Sequence, residues 1–467
     1  MPWRLLAAIW LSSFLVSLDY TAVNVALPTL SREFAVGTSA ISWIALAYLL
    51  AVVALTLPAG LAMDRIGYLR TLGASLALFA AASLASALAT SLWLLVAMRA
   101  LQGIGAAVMF AIGPAVIKTL FPEALHGRAF AIFSTAPTVG LLAGPLIGGQ
   151  LASLLGWESI FLFSLAAALL ALLLVSLVQA GAVAPLPAAR TASPVSLGLA
   201  IAGLLLLLLA LNRGQECGWT SPAIVVLFGT ALALLISLVL HERRAAAPLV
   251  DPALFASPAF VRAGAMLFFI LIDFGGCVFL MPFYLEWLRK LDPDIAGHLL
   301  MIQPAATIAL TIPVALWFAD ASRRTLCTAG VCLLLNGFAT FAVIDRDASL
   351  LMPAAGLAMM GLGRALYYQT LVRMSVAEVP DRLAASASAL QATGRSLAQL
   401  LGVVLFETLF SALYPPALDA ERAVQAEGAA LAGMQGAFSS VYWLGTGIAA
   451  LALVLAAWLP VQHGAKA

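Results

Sequence analysis

The stretch Ser134-Thr-Ala-Pro137-Thr-Val-Gly140-Leu-Leu-Ala-Gly144-Pro145-Leu-Ile-Gly148-Gly149 lies inside an apolar run long enough to cross a bilayer. Gly140, Gly144 and Gly148 recur every fourth residue, which keeps them on one face of a helix. That face is a groove into which another helix backbone can settle closely. With Pro137 and Pro145 among the glycines, the segment reads as a kinked helix with a smooth side, a place where two bodies can slide or rock.

The composition sets the solvent. Apolar residues make up 63% of the 467-residue chain and charged residues 9%, against about 25% charged in soluble domains. Mean hydropathy is +1.07. In lipid only helices and closed barrels satisfy every backbone polar group, and barrel strands are short and alternating. Long unbroken apolar runs therefore predict an all-α polytopic membrane protein. A net charge of +2 without a dense basic run points to neither nucleic acid nor a lipid-headgroup patch. Cys217, Cys277, Cys327 and Cys332 lack metal-ligand spacing and read as packing residues. The first apolar run, from Leu5, continues through Asp19 to Leu30 without a convincing cleavage site and reads as a retained spanning helix.

Apolar segments begin near residues 5, 39, 71, 92, 127 and 159, then at 195 and 222, then near 259, 296, 325, 349, 383 and 433. The expected layout is fourteen transmembrane helices: a six-helix bundle over 1–180, a linker with two additional helices over 181–257, and a second six-helix bundle over 258–467. With a cytoplasmic N-terminus, 14 of the 23 lysines and arginines fall on the inner side and 6 on the outer. The positive-inside rule then places both termini in the cytoplasm, in a multi-pass protein of the cytoplasmic (inner) membrane.

The halves echo each other at an offset of 258 residues. Gly103-Ile-Gly105 returns as Gly361-Leu-Gly363, Pro122-Glu123 as Pro380-Asp381, and Gly144 as Gly402. Several matches at one offset indicate a duplicated bundle, the parallel repeat of a rocking transporter. Gly394, Ala398 and Gly402 repeat the small-residue stripe. No G-x-x-x-x-G-K-[ST] phosphate loop occurs, so ATP hydrolysis by that route is excluded.

Charges inside spanning helices carry the chemistry, since each costs about 3 kcal/mol at the bilayer centre on insertion scales unless paired or wetted. Asp19, Arg99, Asp273, Arg364 and Arg395 qualify. Counted at 1.5 Å per residue, Asp19 lies roughly 16 Å and Arg99 roughly 10 Å below the outer ends of their helices, depths that permit an ion pair. An Asp that alternates between Arg99 and a proton suits proton coupling; a static salt bridge fixing the helices is the competing reading. Asp273, Arg364 and Arg395 fall near mid-membrane, with Tyr367 and Tyr368 as aromatic neighbours that serve either packing or ligand contact. Glu407, nearer a helix end, reads as interfacial. No mid-membrane histidine or metal cluster is present to build a membrane-embedded hydrolase.

The chain resembles the major facilitator superfamily, and within it the fourteen-helix drug:proton antiporters of the EmrB/QacA type. Leu18-Asp19-Tyr-Thr-Ala-Val-Asn24-Val-Ala-Leu-Pro28 is similar to that branch's first-helix signature. Gly60-Leu-Ala-Met-Asp64-Arg65-Ile-Gly67, followed by Arg70, resembles the loop between helices 2 and 3. Arg99-Ala-Leu-Gln102-Gly103-Ile-Gly105 resembles the helix 4 motif tied to proton transfer, and Gly140-x-x-x-Gly144-Pro145-x-x-Gly148-Gly149 the antiporter motif of helix 5. Tyr68 replaces a basic residue of the loop motif, and Glu158 and Ser164 depart from the pattern near Trp157.

The resemblance implies the major facilitator fold, two six-helix bundles plus two extra helices, working as a proton-coupled antiporter that exports small organic compounds by alternating access, not as an enzyme. It implies no cofactor beyond the proton gradient and no metal. Asp19, Arg99 and Asp273 would couple protons. Asn24, Gln102, Asp273, Arg364, Tyr367, Tyr368 and Arg395 would bind substrate. Gly60, Asp64, Arg65, Gly67 and Arg70 would latch the cytoplasmic side, and Gly140, Gly144, Pro145, Gly148 and Gly149, with their second copy, would seal the interface between halves against leak. Three intramembrane arginines against two acids point to a substrate with a carboxylate or other anion. A dedicated exporter of one anionic metabolite such as a carboxylate siderophore, a proton-coupled uptake symporter, and a membrane protein that moves nothing remain open, as does a periplasmic adaptor. Partners otherwise expected are protons, the lipid bilayer and the small organic substrate.

Overall fold

The structure, a computed structural model, describes residues 2–122, 125–178, 193–245, 252–317, 321–377, 379, 384–414 and 425–459. Among them there is no strand. In chain order the helices are α1 (Pro2–Val25), α2 (Leu27–Glu33), α3 (Thr38–Ile66), α4 (Tyr68–Ala87), α5 (Leu92–Leu120), α6 (His126–Leu155), α7 (Glu158–Ser176), α8 (Pro194–Cys217) and α9 (Pro222–Arg244). After a 3-10 turn at Pro252–Ala256 follow α10 (Pro258–Phe283), α11 (Pro293–Leu300), α12 (Ile302–Trp317), α13 (Arg323–Val343), α14 (Leu351–Ala377), α15 (Ala384–Leu413) and α16 (Gly428–Ala457). Thirteen segments of the described residues are long and apolar enough to cross a membrane, α11 and α12 counting as one span. Helix α14, 27 residues long with Arg364 at its centre, falls outside those thirteen but has the length to be added to them.

Local chemistry explains where the helices stop. Ser91, Ser221 and Ser257 accept hydrogen bonds from Leu94 N, Ile224 N and Phe260 N, capping α5, α9 and α10. Proline opens α8, α9 and α10, where no amide donor is required. Gly67, at φ 94°, turns the chain between α3 and α4 in a conformation that a side chain resists. Pro282 near the end of α10 removes one helical hydrogen bond, and the next residues, Tyr284–Leu288, wind as a π turn.

By their contacts the residues group into two units, Met1–Ala26 with Ile41–Val250, and Leu27–Ala40 with Asp251–Ala467. The extra pair α8 and α9 packs together within the first. Most of the linker from 181 to 193 lies outside the described residues.

In the first unit α1 pairs most extensively with α6, and α4 packs on α5 and α7. The glycine face of α6, which the resemblance assigns to a seal between halves, is filled by α1 of its own unit. A Cβ on Gly140 would come within 2.5 Å of the Phe14 carbonyl oxygen, one on Gly144 within 2.9 Å of the Leu18 carbonyl oxygen, and one on Gly148 within 2.7 Å of Ala22 Cα. Two helix backbones this close exclude any side chain, and in lipid such contact replaces the hydrophobic effect as the cohesive force between helices. Pro145 and Gly149 are buried on the same helix.

The second unit repeats the plan. Moved by 258 residues, the bounds of α6 become 384–413, those of α15. Helix α15 packs on α10 as α6 does on α1, with Gly402 against the Ile272 carbonyl and Ala398 fully buried; Gly394 meets no atom that a Cβ would touch. The repeated Gly-x-Gly has the same explanation in both copies. Gly103 seats α5 on Tyr48 of α3 and Gly105 on Ser75 of α4, while Gly361 seats α14 on Gln303 of α12 and Gly363 on Gly330 of α13. The core of this unit is aromatic: Tyr284 meets Phe341, Phe438 and Tyr442 edge to face at 5.5 to 5.9 Å between centroids. Such pairs contribute about 0.5–1.5 kcal/mol each beyond area. Cys277 and Cys327 are buried, and all four cysteines are free.

Candidate functional site

Helices α1 and α5 bring together the acid and base that the sequence places at similar depth. Arg99 Nη1 donates to Asp19 Oδ2 at 2.5 Å, with 1% and 0% of the side chains exposed. A desolvated pair is stable only if further hydrogen bonds support it, and here several do. Ser164 Oγ of α7 donates to Asp19 Oδ1 at 3.2 Å. Arg99 Nη1 also donates to Gln102 Oε1 at 2.9 Å, Gln102 Nε2 donates to Ser83 Oγ of α4 at 2.8 Å, and Arg99 Nε donates to the Ile44 carbonyl of α3 at 3.3 Å. The guanidinium lies over the Tyr48 ring, 4.3 Å from its centroid. Five helices thus converge on one charge pair.

Close approach makes this possible. Gly103, one turn from Arg99, lets α5 settle on the Tyr48 carbonyl, so that the guanidinium reaches the face of that ring. Gln102, expected among substrate ligands, is fully buried and completes the Arg99 network instead. Asn24 is also buried, its Nδ2 donating to the Tyr20 carbonyl at 2.5 Å. Ser164, Ser83 and Tyr48 are members that the sequence reading missed. Their one signal is a hydroxyl within an otherwise apolar helix.

The second unit holds the other intramembrane charges. Asp273 sits in the middle of the span Pro258–Leu288, fully buried, and neither carboxyl oxygen has a hydrogen-bond partner among the described residues. Arg364 of α14 lies 4.2 Å from the Phe274 ring centroid and 5.2 Å from that of Tyr368. Arg395 of α15 donates from Nη1 to Tyr368 Oη at 2.9 Å. Arg364, Tyr368 and Arg395 are partly exposed, whereas Tyr367 is buried. The structure therefore places Arg364 against Phe274 and Tyr368, with Arg395 bonded to Tyr368; Phe274 is a neighbour the sequence reading had not singled out.

Of the loop motif, Gly67 forms the turn and Arg70 is exposed on α4; Gly60 and the side chains of Asp64 and Arg65 lie outside the described residues. Glu407, read as interfacial, is buried instead, accepting from Thr38 Oγ1 at 3.3 Å and Ser411 Oγ at 3.0 Å. Its own helix and the start of α3 fold over it. Among the described residues no group of histidine, cysteine or acidic side chains could hold a metal ion.

A duplicated bundle of membrane-spanning helices with a saturated charge pair in one copy and an arginine–aromatic cluster in the other defines a polytopic membrane transporter. The chain belongs to the Major Facilitator Superfamily, whose family model matches residues 9–403. It is 30% identical over 425 residues to the multidrug resistance protein Stp of Mycobacterium tuberculosis, covering 90% of this chain and 78% of that one. It is 27% identical over 421 residues to the riboflavin transporter RibZ of Clostridioides difficile, covering 88% of each. Its fold is similar to a solved D-xylose–proton symporter, with a TM-score of 0.69, 16% identity and 98% coverage of both chains.

Proposed function

We propose that the protein is a proton-coupled antiporter that exports small organic compounds across the cytoplasmic membrane by alternating access. The observation that carries this reading is the Asp19–Arg99 pair, buried in a membrane span and surrounded by Ser164, Gln102 and Tyr48. A carboxylate held by one guanidinium can exchange that ion pair for a proton, and the arginine is then left with the acceptors it already holds. Gln102 and the Ile44 carbonyl are those acceptors. Loading and unloading one proton thus changes the force between α1 and α5. Asp273, whose carboxyl is buried without a partner among the described residues, is the candidate second carrier.

Export is favoured over uptake by the resemblance of the α6 glycine run to the antiporter motif and by relatives such as the multidrug resistance protein Stp. A dedicated transporter of one metabolite is the second reading, because a relative named as a riboflavin transporter is 27% identical over 88% of the chain. The positive-inside count supports cytoplasmic termini. The test is substrate accumulation in everted vesicles under an imposed pH gradient with an acidic lumen, read with a compound panel including ethidium and riboflavin. Asp19→Asn should abolish pH-driven transport while the protein remains folded; undiminished transport in that variant removes the proton role. Many accepted compounds indicate multidrug export, and one indicates a dedicated exporter.

A further inference from the structure

The two intramembrane arginines on α5 and α14 are treated differently by the fold. Arg99 spends its donors on Asp19, Gln102 and the Ile44 carbonyl and is 1% exposed. Arg364 is partly exposed, and among the described residues it makes no hydrogen bond or ion pair; its only contacts of note are the faces of Phe274 and Tyr368. Rings stacked on a guanidinium hold it by its π face and leave its N–H edge free. Arg364 occupies the centre of a 27-residue helix, where a charge presented to hydrocarbon is costly, so the exposed edge faces water or solute. The cation thus has two aromatic neighbours and, among the described residues, no counterion.

We propose that Arg364, steadied by Phe274 and Tyr368 and accompanied by Arg395, is a recognition subsite for flat aromatic carboxylates. The inference rests on the transport reading above and names a substrate class for it. A planar fork of donors matches a carboxylate bidentately. The aromatic rings beside it supply edges and faces for the flat body to which that carboxylate is attached. Arg395 adds a second positive charge on the neighbouring helix α15, with its Nη1 tied to the Tyr368 hydroxyl. That bond also fixes the Tyr368 ring, so the aromatic wall and the second cation move as one piece. Asp273, on the residue before Phe274, is buried away from solvent and bonded to neither arginine within 4.0 Å, so it does not occupy the fork.

The test uses the full-length protein in detergent, with 2-naphthoate, its neutral amide 2-naphthamide and the cation (2-naphthyl)methylammonium as probes in equilibrium fluorescence titrations without any gradient. Charge-assisted bidentate pairing predicts that the wild type binds the carboxylate at least about tenfold more tightly than the amide. In Arg364→Gln that ratio should fall to near one, with partial recovery in Arg364→Lys, which keeps the charge and loses the fork. Thermal unfolding of each variant separates this from misfolding. The wild-type ratio needs no variant at all: equal binding of carboxylate and amide, or preference for the cation, overturns the proposal, as does an unchanged ratio in a folded Arg364→Gln. Vesicle transport of ethidium or riboflavin is the separate readout. Its loss in the wild type would remove the transport reading while leaving the binding result standing, and its persistence beside failed naphthoate discrimination would remove only the subsite.

Discussion

Gly144 of α6 lies against the backbone of Leu18 on α1, the residue next to Asp19, with 2.9 Å between its ideal Cβ position and the Leu18 carbonyl oxygen. The glycine run and Asp19 are therefore coupled through the seating of one helix. The stripe does not touch the charge pair; it sets how deeply α1 seats, and that depth places the Asp19 carboxyl on Arg99 and Ser164. The α6 glycine face and the Asp19 carboxyl thus depend on the same helix, α1.

Substitution at Gly144 tests this seating in graded steps. Gly144→Ala places a methyl near Leu18 O and Thr21 and should lift α1 slightly, slowing coupled efflux while leaving the protein folded. Gly144→Val adds two more carbons where no space exists, an overpacking cost of about 1–3 kcal/mol or more. The expected outcome is a lower unfolding temperature and proton uptake no longer tied to substrate movement, read as pH equilibration of vesicles without substrate. Full coupling in a folded Gly144→Val variant shows that the groove is dispensable.

Asp19 and Asp273 should respond unequally when their charge is removed. Asp19→Ala leaves Arg99 buried with its main partner gone, and breaking a buried pair from one side costs about 3–5 kcal/mol. Asp273→Ala removes a carboxyl that has no partner among the described residues, so its stability loss should be markedly smaller. Thermal unfolding in detergent compares the two directly, and an Asp273 loss equal to that of Asp19 contradicts the assignment of partners.

Gln102→Leu examines the network from its far end. The change leaves an Arg99 donor and the Ser83 hydroxyl short of one partner each, a cost of about 1–3 kcal/mol. Because Arg99 loses one of the acceptors that hold it in place, transport should slow more than substrate affinity changes. A fall in apparent affinity with an unchanged maximal rate would return Gln102 to the substrate site.

How much of this was legible follows from which physics acts along the chain and which acts between helices. Spans are written in apolar runs, and their ends in Ser caps, leading prolines and Gly67, so the fourteen-helix layout is readable from one dimension. Depth in the membrane is also a linear count, which is why Asp19 and Arg99 could be paired in advance. Rotation about the helix axis is not linear information. Ser164, Tyr48 and Ser83 join the charge pair, and Gln102 turns toward Arg99, only because of how α3, α4 and α7 pack. The glycine stripe was read correctly as a close-contact face, but one chain alone does not say which helix fills it. Glu407 looked interfacial by depth, yet the start of α3 covers it through Thr38.

That covering segment supports a last prediction. Leu27–Ala40 connects α1 to α3, yet it groups with the second unit, and Arg32 Nη2 within it meets Glu286 Oε2 of the π turn at 3.2 Å. Glu286 is 1% exposed at its side chain and Arg32 is 43%, so the two partners are not equivalent. Removing Arg32 strands a buried carboxylate, whereas removing Glu286 frees an arginine that water can reach. Arg32→Ala should therefore destabilise more than Glu286→Gln, by about 1–2 kcal/mol, the difference between an unsatisfied buried acceptor and a lost solvent-screened pair. If the contact holds the connecting segment during transport, both single variants should alter the transport rate, and the swap Arg32→Glu with Glu286→Arg should recover part of it, less than fully because the arginine would then be the buried partner. A double-mutant cycle on unfolding temperature and efflux rate measures both effects, and additive losses on the two scales would show that the pair carries no coupling.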